Sequence, residues 1–235
     1  MTLENFMLIT QISTALSALI AILSFLFFKK RTLQVKLLGL NFLYSVLMYY
    51  SLGVFDLRGM QVNIPNNIQM LATFLTLTGV YYLELKKRYT WFFVTLCILF
   101  AIFWGINIFF LQKMHFNSYT TAISNFIVMA YCIAYFYRLM IDLPARHLRQ
   151  LPLFWISAAL LMQGAATSFL YIFTDYLTRF FFDDVLVYWS IHNSIVILEL
   201  LIITIGISVD LWNTHALRKD LASAVADREG VYPRI

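Results

Sequence analysis

Charge is what this chain has least of. Asp, Glu, Lys and Arg make up only 12% of its 235 residues, while 61% are hydrophobic; a soluble domain carries about a quarter and about a half. The balance excludes a water-soluble globular fold, and no stretch is polar enough for a separate soluble catalytic domain. Cysteine is almost absent. Cys97 and Cys132 each sit inside an apolar run, so neither a disulfide framework nor metal-ligand spacing is on offer. The four prolines, Pro65, Pro144, Pro152 and Pro233, fall in connectors, at a helix start or in the tail, and there are only eight glycines. Gly- or Pro-interrupted apolar segments, which mark the broken helices of secondary transporters, are missing. So are the proline kinks of eukaryotic seven-helix receptors.

No lysine lies midway along an apolar run, which excludes a Schiff base to retinal. His115, His147, His192 and His215 belong to different levels or sides, so they do not form a zinc cluster. Ser208 in Gly206-Ile207-Ser208 lies about 180° from the Glu199 face of its helix and has no base in reach. We expect no catalysis and no cofactor. The N-terminus lacks a basic n-region and a small-residue cleavage site, so the first apolar run is expected to be a retained helix.

What is present is a series of apolar runs. A spanning helix needs about 20 mostly apolar residues, and seven stretches qualify: 5–28, 34–55, 66–85, 91–112, 119–141, 152–174 and 184–212. The expected fold is an all-α integral membrane protein, a seven-transmembrane-helix bundle over residues 1–213 with an amphipathic tail over 214–235. A composition of 17% aromatics, with 22 Phe and 14 Tyr, suits lipid-facing and interfacial surfaces.

Lys and Arg alternate between the connectors. Lys29, Lys30, Arg31 and Lys36, then Lys86, Lys87 and Arg88, then Arg138, Arg146 and Arg149, then Arg218, Lys219, Arg228 and Arg234 fall on one side; Arg58, Lys113 and Arg179 fall on the other. Cytoplasmic loops retain positive charge. The N-terminus is therefore expected outside and the C-terminus in the cytoplasm, in the cell inner (plasma) membrane. The net charge of +5 has this topological cause and is no sign of nucleic acid. Glu4, Asp56, Asp175, Asp183 and Asp184 make the outer side weakly acidic and are read as solvated loop carboxylates.

The last run, YWSIHNSIVILELLIITIGISVDLW (188–212), holds a carboxyl group near its midpoint. At 100° per residue, Tyr188, His192, Glu199, Gly206 and Asp210 share one narrow face. An ionised carboxylate facing lipid at that depth costs several kcal/mol, so the stripe is expected to face the bundle interior and to be functional. Other runs supply polar partners: Gln69, Thr73 and Thr76 on the third, Trp104 and Asn107 on the fourth, Ser124, Tyr131 and Tyr135 on the fifth, Gly164, Thr167, Ser168 and Tyr171 on the sixth. Thr10, Thr14, Ser17 and Ala21 on the first are read as small residues that let helices approach closely. The candidate ligand-binding or proton-sensing residues are Glu199, His192, Tyr188, Asn193, Trp104, Asn107, Gln69, Tyr131 and Tyr171. No metal site is expected.

After the last run, Leu217, Leu221 and Val225 recur at helical spacing, with Ala222, Ala224 and Ala226 favouring helix. The last span can therefore run on as a continuous rod, or a short helix can lie on the inner leaflet beside anionic lipid.

LPLFWISAALLMQGAATSFLYIF (151–173) and YWSIHNSIVILELLIITIGI (188–207) resemble the paired sixth and seventh helices of a poorly characterised group of bacterial seven-helix membrane proteins, similar to membrane input modules of sensor histidine kinases. Pro152, Phe154, Trp155, Trp189, His192 and Asn193 carry the resemblance. It implies signal input. The leading expectation is a receptor-like or sensory protein that takes a small ligand, lipid or proton in a polar core and signals to a cytoplasmic or membrane partner. A secondary transporter or proton-coupled carrier is the alternative, and a non-catalytic scaffold or assembly factor a third.

Overall fold

A computed structural model describes residues 3–57, 63–85, 90–112, 118–142, 145–173 and 185–231. Among them there is no strand. Seven α-helices follow one another: α1 (Leu3–Phe25), α2 (Leu33–Leu57), α3 (Asn63–Glu84), α4 (Thr90–Ile106), α5 (Ser118–Asp142), α6 (Pro152–Ile172) and α7 (Val185–Val231). Each overlaps one of the seven apolar stretches. Five are long and apolar enough to cross a membrane, namely α1, α4 with its continuation to Leu111, α5, α6 and residues Val187–His215 of α7, which gives the composition its structural counterpart in a membrane protein. The other two, α2 and α3, carry Gln34, Lys36, Asn41, Asn66, Asn67 and Gln69 within or at the edge of their apolar stretches.

The local chemistry explains why hydroxyl-bearing segments remain helical. Where water is excluded, every polar group must find an internal partner. Thr10, Thr14, Ser17, Ser24, Thr76, Thr167, Thr204 and Ser208 each turn their hydroxyl back onto the carbonyl four residues earlier, at 2.7 to 3.0 Å. Pro152 opens α6 in its first turn, where its missing N–H removes no intrahelical bond. At its far end α4 loosens into a π-helical turn, Asn107–Leu111.

Six helices close a ring. α1 packs on α2 and α7, α2 on α3, α3 on α5, α5 on α6 and α6 on α7. Helix α4 stands outside it against α3, anchored by Phe100 stacked on Phe74 at 3.6 Å between ring centroids. Its opposite face, including Trp91 (84% exposed), Phe92, Ile98, Leu99, Ile102 and Phe110 (73% exposed), is turned outward, as lipid contact requires.

The ring has two unlike ends. At the end that gathers Lys29, Lys30, Arg31, Lys36, Arg138 and Arg149, here called the basic end, packing is tight. Ile20, Leu38, Tyr81, Ile156, Ile203 and Ile207 are almost wholly buried there. Two glycines permit this: a Cβ on Gly39 would meet Ser24 Cβ at 2.5 Å, and one on Gly206 would meet the Pro152 carbonyl oxygen at 2.8 Å. Toward the far end the helices part around a cavity.

Arg31, counted from the sequence among the charges of the first connector, is taken up inside the bundle. It is 4% exposed; Nη1 donates to Asp210 Oδ2 at 2.6 Å and to the Ile207 carbonyl at 3.3 Å, Nη2 to the Leu23 carbonyl at 2.7 Å and Nε to the Leu26 carbonyl at 3.2 Å. A single guanidinium thus satisfies the last turn of α1 and fastens it to α7. Connector positions 58–62, 86–89, 113–117, 143–144 and 174–184, and the side chains of the tail from 216, lie outside the described residues, and with them the loop charges Arg58, Lys113, Asp175, Arg179, Asp183 and Asp184. The helix itself runs on without a break to Val231.

Candidate functional site

The cavity has a volume of about 520 Å³ and takes lining residues from all six ring helices. Helix α1 supplies Thr10, Ser13, Thr14 and Ser17; α2 supplies Ser45, Val46 and Tyr49; α3 supplies Asn66, Asn67, Gln69, Met70, Thr73 and Leu77. Across the ring stand Thr121, Ser124, Asn125 and Val128 of α5, Leu160, Gln163 and Tyr171 of α6, and Trp189, His192 and Asn193 of α7. Leu77, Val128 and Leu160 form its floor at mid-bundle. Most of the lining positions lie in the half of their helix farther from the basic end, with Ser17, Leu77 and Leu160 just past the midpoint.

The wall is held in place by bonds between neighbouring helices. Asn193 Nδ2 donates to Thr10 Oγ1 at 3.1 Å, joining α7 to α1. Thr73 Oγ1 donates to Asn41 Oδ1 at 3.0 Å between α3 and α2, and Asn125 Nδ2 to Thr167 Oγ1 at 3.0 Å between α5 and α6. Tyr171 Oη and His192 Nε2 are 3.2 Å apart, which joins α6 to α7. The His192 ring meets Trp189 and Tyr171 edge to face, with centroids 5.6 and 5.3 Å apart. Two polar atoms of these wall residues are buried without a hydrogen-bond partner among the described residues, His192 Nδ1 and Asn67 Nδ2. Buried polar atoms are nearly always paired, so these two mark where the wall is incompletely satisfied.

Comparison of the chain with family models, curated proteins and solved structures returns no match. The site is therefore read from its own geometry.

Of the nine residues singled out from the sequence, four line this cavity: His192, Asn193, Gln69 and Tyr171. Tyr188 stands at its rim, packed on Trp189 with centroids 5.1 Å apart, its hydroxyl donating to the Leu170 carbonyl of α6. The other four lie elsewhere. Trp104 Nε1 donates to the Asn67 carbonyl at 3.1 Å and so pins α4 behind the wall. Asn107 is wholly buried in a separate knot, donating through Nδ2 to Gln112 Oε1 at 2.9 Å and Thr120 Oγ1 at 2.8 Å, and it ties α4 to the start of α5. Tyr131 packs in the apolar core, on Phe93 and Tyr81, with centroids 5.4 and 5.5 Å away. Glu199 is half-buried, within electrostatic reach of Tyr171 but not on the cavity wall, and its carboxylate makes no hydrogen bond or ion pair to a described residue.

The stripe on α7 is one helix face, yet it meets three surroundings. His192 looks into the cavity, Gly206 presses on α6, and Asp210 is taken up by Arg31. Thr10, Thr14 and Ser17, read from the sequence as spacers for close packing, form part of the cavity wall instead; Ala21, 3% exposed, is the one of the four that is packed. Ser45, Tyr49, Asn66, Asn67, Asn125 and Gln163 were missed. They are scattered over four helices and acquire a common meaning only when the ring closes. Among the described residues no cluster of His, Cys, Asp and Glu could hold a metal ion.

Proposed function

We propose that this chain is a receptor-like or sensory protein of a bacterial inner membrane, with seven spans and its N-terminus outside. It takes up a small ligand in the cavity at the outer end and signals through α7 on the cytoplasmic side. One observation carries the reading: a polar cavity walled by six helices, one of which continues as a single 47-residue helix. At 1.5 Å per residue that helix is about 70 Å long, against a hydrocarbon thickness of about 30 Å, so a tilt at Trp189 or His192 reaches beyond the bilayer. The distribution of Lys and Arg supports the orientation. A ligand shifts the helices only by binding two arrangements unequally, and the Asn193–Thr10 and Tyr171–His192 contacts are those that a ligand between α1, α6 and α7 would exchange.

The test is removal of residues 214–235 with the bundle left intact. Cellular responses are expected to disappear while the membrane-embedded protein accumulates normally; unchanged responses would sink the sensory reading. The partner, cytoplasmic or membrane-bound, is expected to crosslink to the removed segment. We assign the protein no catalysis and no cofactor.

Glu199 supports a second reading, a secondary transporter or proton-coupled carrier. A half-buried carboxyl group on a spanning helix with no described ion-pair partner is the kind of group that such carriers load and unload. Liposomes containing the protein and a pH-reporting dye separate the two. Substrate-dependent proton flux that Glu199→Gln abolishes establishes the carrier, and its absence leaves the sensor.

A further inference from the structure

Resting on the reading of the cavity as a ligand site, we infer that its occupant is an uncharged, hydroxyl-rich ring molecule of the neutral-sugar class.

The lining decides against charge. None of its 23 residues is Asp, Glu, Lys or Arg, and 14 are Ser, Thr, Asn or Gln. An ion moved from water into a site without a counter-charge loses most of its solvation and recovers only hydrogen bonds to neutral dipoles. A carboxylate, phosphate or ammonium ligand would therefore be selected against at this wall.

The lining equally decides against an apolar occupant. Fourteen hydrogen-bonding side chains, Asn67 and Asn193 among them, line the space; a hydrocarbon filling it would answer none of them. A site built of hydrogen-bonding groups discriminates strongly against molecules that cannot answer them. Hydroxyl groups serve such a wall well, because each one both donates and accepts and so pairs with amides and hydroxyls in either sense.

The aromatics supply the remaining requirement. Tyr49, Tyr171 and Trp189 line the same space, and Trp189 is steadied by edge-to-face packing on Tyr188 and His192. Their apolar faces suit the C–H face of a pyranose ring, while the amides take its edge. The volume falls in the usual range for a small-molecule site, roughly 300–1,000 Å³.

The test uses the full chain in phosphatidylcholine nanodiscs, not in a glycoside detergent whose headgroup would compete. Glucose, maltose, glucuronate and glucosamine are titrated by calorimetry into the wild type and into Asn67→Ala, Trp189→Phe and Trp189→Tyr. In parallel, water access is read by labelling Thr14→Cys with a membrane-impermeant maleimide, against the wild-type background of Cys97 and Cys132. Saturable heat from a neutral sugar is expected, with binding of the charged analogues and by Asn67→Ala weaker by about 10-fold or more, the scale of a lost buried hydrogen bond. Trp189→Tyr should retain more affinity than Trp189→Phe, and all variants should melt as the wild type does. Tighter binding of glucuronate or glucosamine overturns the neutral-sugar class and leaves the ligand site standing. No heat from any of the four, with Thr14→Cys labelled, overturns the sugar proposal alone. An unlabelled Thr14→Cys removes both the sugar and the cavity on which it rests.

Discussion

Asp210→Asn tests the central contact of the basic end. Its partner Arg31 has a side chain with no exposure, Asp210 has 5%, and their atoms are 2.6 Å apart, so solvent screening does little to weaken the pair. Removing one member of a buried ion pair leaves the other charge uncompensated and typically costs about 3–5 kcal/mol. Arg31 keeps its three carbonyl acceptors at Leu23, Leu26 and Ile207, which places the expected loss toward the lower figure. For a chain of this size 1 kcal/mol moves the melting temperature by roughly 2–4 °C, so the drop should be about 6–12 °C in nanodiscs, followed by reaction of the buried Cys132 thiol with a fluorogenic maleimide on heating. The double variant Arg31→Met/Asp210→Leu replaces both charges by apolar groups of similar bulk and should melt above Asp210→Asn, although it forfeits the carbonyl bonds. A drop of less than about 2 °C for Asp210→Asn, the equivalent of under 1 kcal/mol, would refute the claim that this pair joins α1 to α7.

Three further outcomes follow. Gly206→Ala should lower stability by about 1–3 kcal/mol, because its Cβ meets backbone oxygen, whereas Gly105→Ala, with nothing within 4 Å, should be neutral or slightly stabilising; melting the pair side by side checks both. Tyr81→Phe removes the hydroxyl that sits 3.1 Å from Cys132 Sγ and 2.9 Å from Ser157 Oγ and should cost about 1–2 kcal/mol, read in the same thermal assay. For Asn193→Ala and Thr10→Val a double-mutant cycle should give a coupling near 0.6 kcal/mol, the average for hydrogen bonds between membrane helices; a coupling of zero would mean that α1 and α7 are not joined at the cavity.

The helices were legible in the sequence because lipid imposes a length and a polarity that a chain cannot disguise. Each described helix coincides with an apolar run to within a few residues, apart from the extension of α7 to Val231. The cavity was only half legible. His192, Asn193, Gln69 and Tyr171 stood out as polar groups in apolar surroundings, but Thr10, Thr14 and Ser17 are residues that serve close packing and cavity walls equally well. Which role they take depends on whether the facing helix is near or splayed, and that is set by residues elsewhere. The role of Arg31 was hidden for a related reason. In the run Lys29-Lys30-Arg31 it is indistinguishable from its neighbours, and its partner Asp210 is 179 positions away. Asn107 and Tyr131 are buried, yet there is more than one interior: a polar knot by α4, an apolar core at the basic end, and the cavity.

The closure of the ring has a consequence for how the protein is made. A chain emerges N-terminus first, so α1 is in place long before α7, and the seam between them is the last to be sewn. Until it is, the guanidinium of Arg31 waits at the membrane surface with half its bonds unmade. A chain that stops before Ile207 therefore leaves that guanidinium without its carboxylate and one of its carbonyls, and only delivery of the final helix completes the set.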